Sequence, residues 1–152
     1  MSDDPRDTPV REIMHAGCTC VQHDATCLDA ARTMAEEAVG ALPICGPDDR
    51  LIGMLTDRDI VVHCIAVGLD PATCTAGDLA SGRLIWASDD QTVGEVLDIM
   101  EAHVIRRVPV IDSEMQLVGM VAQADIAHLG RDVTGELVEV ISAAEPRQSV
   151  AY

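Results

Sequence analysis

Apolar residues recur along this chain at two spacings. Leu28, Ala31, Met34, Ala35 and Ala38 fall three or four apart, which predicts a helix from Thr26 to about Ala38 with these residues on its core face. Continuous apolar runs follow at 41–45 and 51–55, each the length of a buried strand, with the turn Gly46-Pro47-Asp48-Asp49 between them. Pro43 has no N–H to give a ladder, so the first run is expected at a sheet edge or a strand start. A helix from 57 to about 67 and a Gly68-Leu69-Asp70-Pro71 linker complete this stretch. The order then returns, with strands near 84–87, 107–111 and 117–121 and helices near 92–104 and 123–129. Thr8-Pro9 opens a short helix to about residue 14, and residues 18–21 form a short strand. Val133, Leu137, Val140 and Ile141 suggest one more amphipathic helix, ahead of a loose end after Pro146.

The recurrence is a repeat with a constant offset of 66 residues. Thr26 aligns with Thr92, Met34 with Met100, Pro43 with Pro109, Gly53 with Gly119 and Asp59 with Asp125, without insertion or deletion. Each copy reads β-α-β-β-α, a parallel pair plus a hairpin in a small three-stranded sheet with helices on one face. Halves of about 60 residues are marginal alone, so two copies facing each other about a pseudo-twofold axis are expected to share burial. The divisions are 8–68, 74–131 and a C-terminal segment 132–152.

Composition narrows the chemistry. Apolar residues make up 48% of the chain, yet Phe is absent and Trp86 and Tyr152 are the sole aromatics. The core must use aliphatic residues, and no aromatic platform exists for stacking bases. Ten basic against 26 acidic residues give a net charge of −16, a field that repels nucleic acid and anionic membranes. The acidic start has no apolar leader and no run approaches a membrane span, so a cytoplasmic protein is expected. No Gly-x-Ser-x-Gly, P-loop or zinc-protease motif occurs, and the expectation is a protein that is not an enzyme.

Two strings then carry a resemblance. Gly40-Ala41-Leu42-Pro43-Ile44 followed by Leu51-Ile52-Gly53-Met54-Leu55-Thr56-Asp57-Arg58-Asp59-Ile60 resembles the signature of a CBS domain. Arg107-Val108-Pro109-Val110, Leu117-Val118-Gly119-Met120-Val121 and Asp125-Ile126 resemble it again, with the same proline-to-glycine distance of ten. The resemblance covers residues 8–131 and is nearest to stand-alone CBS pairs of actinobacteria. It implies a tandem CBS pair, or Bateman module, of α/β (α+β) class, with clefts between domains for adenosyl ligands and further pairing into a homodimer. It also implies a regulatory role in a stress response, exerted on a separate, unknown partner protein. AMP, ADP, ATP or S-adenosylmethionine are the implied ligands, and no cofactor is required.

The residues suit such a ligand. Thr56 is the expected N-cap of a helix and Asp59 lies three positions later. A phosphate would meet the helix amides and the Thr56 hydroxyl, and Asp59 would accept ribose hydroxyls. The matching family residues take these roles. An equally open reading is pure capping, worth about 1 kcal/mol with no ligand present. In the second copy Asp125 is retained, but Ala122 and Ala124 replace Thr56 and Arg58, so that site is expected to be weaker or to take a nucleoside. Arg58, Arg106 and Arg107 are the cationic candidates for phosphate, or else ordinary partners of surface carboxylates.

Six cysteines (Cys18, Cys20, Cys27, Cys45, Cys64 and Cys74) read first as small buried hydrophobes. His15, Cys18, Cys20 and His23 offer zinc-compatible donors, but strand spacing closes poorly into a tetrahedron, and no metal is expected. A hydrolase built on that cluster is the weakest reading. A Cys20–Cys45 disulfide between neighbouring parallel strands is the stronger idea. It leads to an alternative function, a ligand-free, redox-responsive dimeric stress protein acting through protein contacts.

Overall fold

A computed structural model describes residues 4–17, 19–80 and 84–129. In chain order the regular elements are β1 (His15–Ala16), β2 (Val21–Gln22), α1 (Cys27–Glu37), β3 (Ala41–Cys45), β4 (Leu51–Thr56), α2 (Asp57–Ile60), α3 (Ala76–Leu79), β5 (Ala87–Ser88), α4 (Val93–His103), β6 (Arg107–Ile111), β7 (Leu117–Ala122) and α5 (Gln123–Ala127). Short 3-10 turns occupy Pro5–Asp7 and Val10–Glu12, and a wider π-helical turn, Val61–Ile65, continues α2. The fold is tandem β-α-β-β-α with small sheets, as the repeat predicts. The expected C-terminal helix around 133–141 lies outside the described residues.

Two compact units form. One combines residues 4–17 with 85–129, and the other holds 19–80 and 84. The chain passes from one to the other and back, because each repeat gives its leading segment to the helix of the other. In the first unit the N–H of Val10 donates to the Gln91 carbonyl and that of Val93 to the Thr8 carbonyl, both at 2.8 Å. In the second, Ala76 donates to Ala25 and Cys27 to Cys74, again at 2.8 Å. The offset of 66 maps one set of bonds onto the other. It also identifies α3, which periodicity does not predict, as the counterpart of the Val10–Glu12 turn.

The second unit carries the expected three-stranded sheet, β2-β3-β4, but the sheet of the first is four-stranded, β1-β7-β6-β5, because His15–Ala16 adds to the free edge of β7. Both parallel strands are shorter and later than expected, starting at Val21 and Ala87. Pro43 and Pro109 therefore sit in inner strands, β3 and β6, and not at an edge. The ladder tolerates them because β2 pairs only with Ile44 and Cys45, and β5 only with Val110 and Ile111. Each proline sits just before the parallel pairing begins, where the lost N–H has no strand partner. Both hairpins also shift register one residue later, between Ile44 and Cys45 and between Val110 and Ile111.

Helix α1 turns a partly different face inward than the spacing suggests, for Met34 is buried and Ala31 packs on the core as expected. Cys27, Ala30 and Met34 are its buried residues, while Ala35 and Ala38 are exposed. The pattern is degenerate because alanine is apolar enough for either side, and contact with Leu42, Ile44 and Leu55 decides the rotation. In the first unit Val96, Met100, Val108, Val110, Val121 and Ile126 are fully buried. Both long helices end in a left-handed residue, Ala38 and Val104, each with φ of 54°. Among the described residues, no helix is long and apolar enough to cross a membrane.

Candidate functional site

The start of α2 gathers the first candidate residues. Leu55 is buried and anchors the end of β4, and Thr56 follows with φ −109° and ψ 159°, an extended residue feeding a helix. The Asp59 N–H donates to Thr56 Oγ1 at 3.1 Å, and the Thr56 N–H donates to Asp59 Oδ2 at 2.9 Å. This is a reciprocal capping box, which satisfies two amides that the helix cannot. Thr56 is 3% exposed, whereas Asp59 is partly exposed. The Asp57 N–H reaches back to the Gly40 carbonyl at 2.9 Å, fixing the helix start against the strand before it. Capping thus describes the geometry as it stands, with one Asp59 oxygen committed to the backbone.

The second copy is organised differently. Ala122 repeats the backbone of Thr56, with φ −113° and ψ 159°, but has no side-chain oxygen to accept from Asp125. Only half the box forms, the Ala122 N–H donating to Asp125 Oδ2 at 2.7 Å. The other oxygen meets His15 Nε2, also at 2.7 Å. His15 reaches it because β1 runs antiparallel to β7, with His15 opposite Met120 and Ala16 opposite Gly119. Sequence reasoning placed His15 with Cys18, Cys20 and His23. Its unit is instead that of Asp125, while Cys20 and His23 belong to the other, and Cys18 lies outside the described residues. A histidine 110 residues away in sequence carries no local signal of this pairing.

Among the arginines, Arg107 opens β6 directly opposite Ala122, so the structure brings it to the start of α5. Arg106 is exposed, and its carbonyl accepts from the Gln123 N–H at 2.8 Å, the counterpart of the Gly40–Asp57 bond. Arg58 is exposed on α2 beside Asp59, and its backbone N–H is taken by Asp57 Oδ1 at 2.8 Å. Ala124, its counterpart, is exposed on α5.

Cysteine placement departs furthest from expectation. Cys20 is a free, partly exposed thiol, and Cys45 is buried. The parallel ladder puts Gln22 beside Cys45, so Cys20 stands two residues behind the position that direct lateral bridging requires. The residues that converge are Cys27, Cys64 and Cys74, all buried, with sulfurs within 4.8 Å of one another. Burial, then hydrogen bonding to Cys74, pushes the Cys27 thiol up to about 12. Burial also raises Cys64, and the nearby Cys74 adds to it. Sequence reading missed this group because its members are 37 and ten residues apart and match no ligand motif.

Comparison with known proteins settles the family. The sequence matches the CBS domain over residues 10–65 and again over 76–132. The chain belongs to the CBS domain family. This CBS pair is 52% identical to hypoxic response protein 1 of Mycobacterium tuberculosis over 135 residues, 88% of this chain and 94% of that protein. A crystal structure of hypoxic response protein I with two coordinated zinc ions superposes with a TM-score of 0.74 at 53% identity, covering 80% of this chain and 98% of the other. The CBS pair of protein MJ0100, crystallised with 5′-methylthioadenosine and S-adenosyl-L-methionine, gives a TM-score of 0.69 at 26% identity, covering 80% and 98%.

Proposed function

We propose that this CBS pair is a non-catalytic regulator that binds an adenosyl nucleotide or nucleoside at the start of α2 and signals to a separate partner in a stress response. The observation that carries the reading is the Thr56–Asp59 pair. The fold holds Asp59 at a helix start with Oδ2 bound to the backbone, so a ribose hydroxyl would be met by Oδ1. Arg58, one residue away and exposed, would supply a planar donor to phosphate. The MJ0100 pair, which carries two adenosyl ligands, supports the ligand class, and hypoxic response protein 1 supports the stress setting. Homodimer formation is part of the proposal. Val61, Ile65 and Val67 are each more than half exposed along one short stretch, an apolar surface suited to a second copy.

Titration calorimetry with AMP, ADP, ATP and S-adenosylmethionine tests the ligand. At least one should bind, and Asp59→Asn should weaken it while keeping an oxygen for the cap. Absence of heat from all four would overturn the reading.

The competing reading is a ligand-free, redox-responsive stress protein. The reciprocal Thr56–Asp59 box and the His15–Asp125 pair favour it, since they engage Thr56 Oγ1, one oxygen of Asp59 and Oδ1 of Asp125 within the chain itself. A melting temperature that responds to reductant and ignores nucleotides would select it. The Cys20–Cys45 bridge belongs to this reading.

A further inference from the structure

The three buried cysteines lie on segments held together by the backbone. Cys27 is the first residue of α1, and its N–H donates to the Cys74 carbonyl at 2.8 Å. Cys64 lies in the π-helical turn, its carbonyl accepting from the Leu69 N–H at 2.9 Å, and Leu69 leads into the segment bearing Cys74. Cys74 in turn donates its N–H to the Asp70 carbonyl at 2.9 Å. Apart from hydrogen bonds among themselves, the thiols have long contacts, Cys64 Sγ to the Leu69 carbonyl at 3.7 Å and Cys74 Sγ to the Thr75 carbonyl at 4.0 Å. Three sulfurs thus converge in a preformed cradle, bonded mainly to one another.

Geometry then decides what fits. Three atoms within 4.8 Å of one another share a point no farther than about 2.8 Å from each (4.8 Å divided by √3). A metal–thiolate bond of about 2.3 Å requires each sulfur to move inward by roughly half an ångström at most. The converging group has three sulfurs and no imidazole or carboxylate. Soft thiolates suit monovalent copper and zinc alike, but zinc prefers four ligands in a tetrahedron and this group supplies three, a number that monovalent copper accepts. Cys27 opens an 11-residue helix, which fixes where its sulfur faces the other two. Access exists as well, because Cys74 lines an open pocket of about 520 Å³ with His63, Asp70 and Asp78 on its wall.

We propose that Cys27, Cys64 and Cys74 form a three-sulfur site for a single monovalent copper ion. Binding changes no oxidation state: the ion replaces thiol protons, which leave to solvent. Its effect is to tie α1, the 61–65 turn and the 70–75 segment together, stiffening the unit that contains the Thr56–Asp59 pair. The site is independent of adenosyl binding and stands whether or not that reading holds.

Anaerobic titration of the reduced full chain with Cu(I), against a chromophoric chelator, tests this. The titration is repeated in C18A/C20A, which removes the two vicinal N-terminal thiols. One equivalent should persist in C18A/C20A and raise its melting temperature, and adding Cys74→Ala or Cys27→Ala should abolish that equivalent. Copper-edge X-ray absorption on the C18A/C20A protein should show three sulfur neighbours, a readout that does not depend on the further variants folding. Loss of binding in C18A/C20A would overturn the proposal. So would two sulfur neighbours, or preferential binding of zinc with a nitrogen or oxygen ligand.

Discussion

His15 and Asp125 are joined through Nε2 and Oδ1 at 2.7 Å, although one lies at the start of the chain and the other in its last described helix. The His15 side chain is 76% exposed and that of Asp125 12%, so the pair covers a carboxylate with a displaceable ring. Such an exposed pair contributes little stability, on the order of 1 kcal/mol or less. The ring thus lies against the acid that the second copy shares with the first.

His15→Ala should uncover Asp125 Oδ1 at a small cost in stability. Titration with adenosine and AMP should then reveal a second binding equivalent or a tighter one. Identical isotherms for both proteins would show that the histidine does not mask a site.

Ala122→Thr should stabilise the chain by about 1 kcal/mol, because the backbone of Ala122 already matches that of Thr56 within a few degrees. The new hydroxyl would accept from the Asp125 N–H and complete the capping box. Thr56→Ala should lose a similar amount. Thermal melts of the two variants should move in opposite directions, and a fall for both would refute the equivalence of the two helix starts.

Gly119→Ala should destabilise the chain by roughly 1–3 kcal/mol. A Cβ there would stand 2.7 Å from Met14 Sδ and 2.8 Å from the His15 carbonyl oxygen, and that backbone atom cannot swing aside. Pushing β1 off β7 would also break the His15–Asp125 pair. Gly46→Ala is the control, since the nearest atom is an Asp48 side-chain oxygen at 3.4 Å. Denaturant melts should separate the two, and equal midpoints would contradict the packing described.

Cys27 makes stability pH-dependent on the alkaline side. Its thiol titrates near 12 when folded, against about 8.5 in an unfolded chain. Between those values the unfolded state binds fewer protons, so stability is fully present below about 8.5 and is lost as pH rises toward 12. Melts of Cys27→Ala should decline less steeply over that window. At pH 8 an alkylating reagent should label Cys20 and spare Cys27 in the metal-free chain, as mass spectrometry would show. Rapid labelling of Cys27 would contradict its burial.

Much of the architecture was legible in the residues. The 66-residue offset predicted paired elements, and the structure extends the correspondence to the register shifts after Pro43 and Pro109. The helix starts at Thr26, Thr56 and Thr92 were readable because a cap acts over three residues. The inner face of α1 was not, since its alanines fit either side. The inner position of the two prolines also escaped, because it depends on how short the neighbouring parallel strand is.

What sequence alone determined is whatever rests on contacts a few residues long and on a pattern stated twice: the repeat, the caps, the hairpins and the CBS family. Tertiary structure decided which segment leads into which unit. By carrying residues 8–14 to α4 and 74–79 to α1, it placed Cys74 against Cys27 and His15 against Asp125. Those meetings arise from the burial of apolar surface by segments far apart along the chain. Periodicity reports the face that a segment buries and is silent about the partner that covers it.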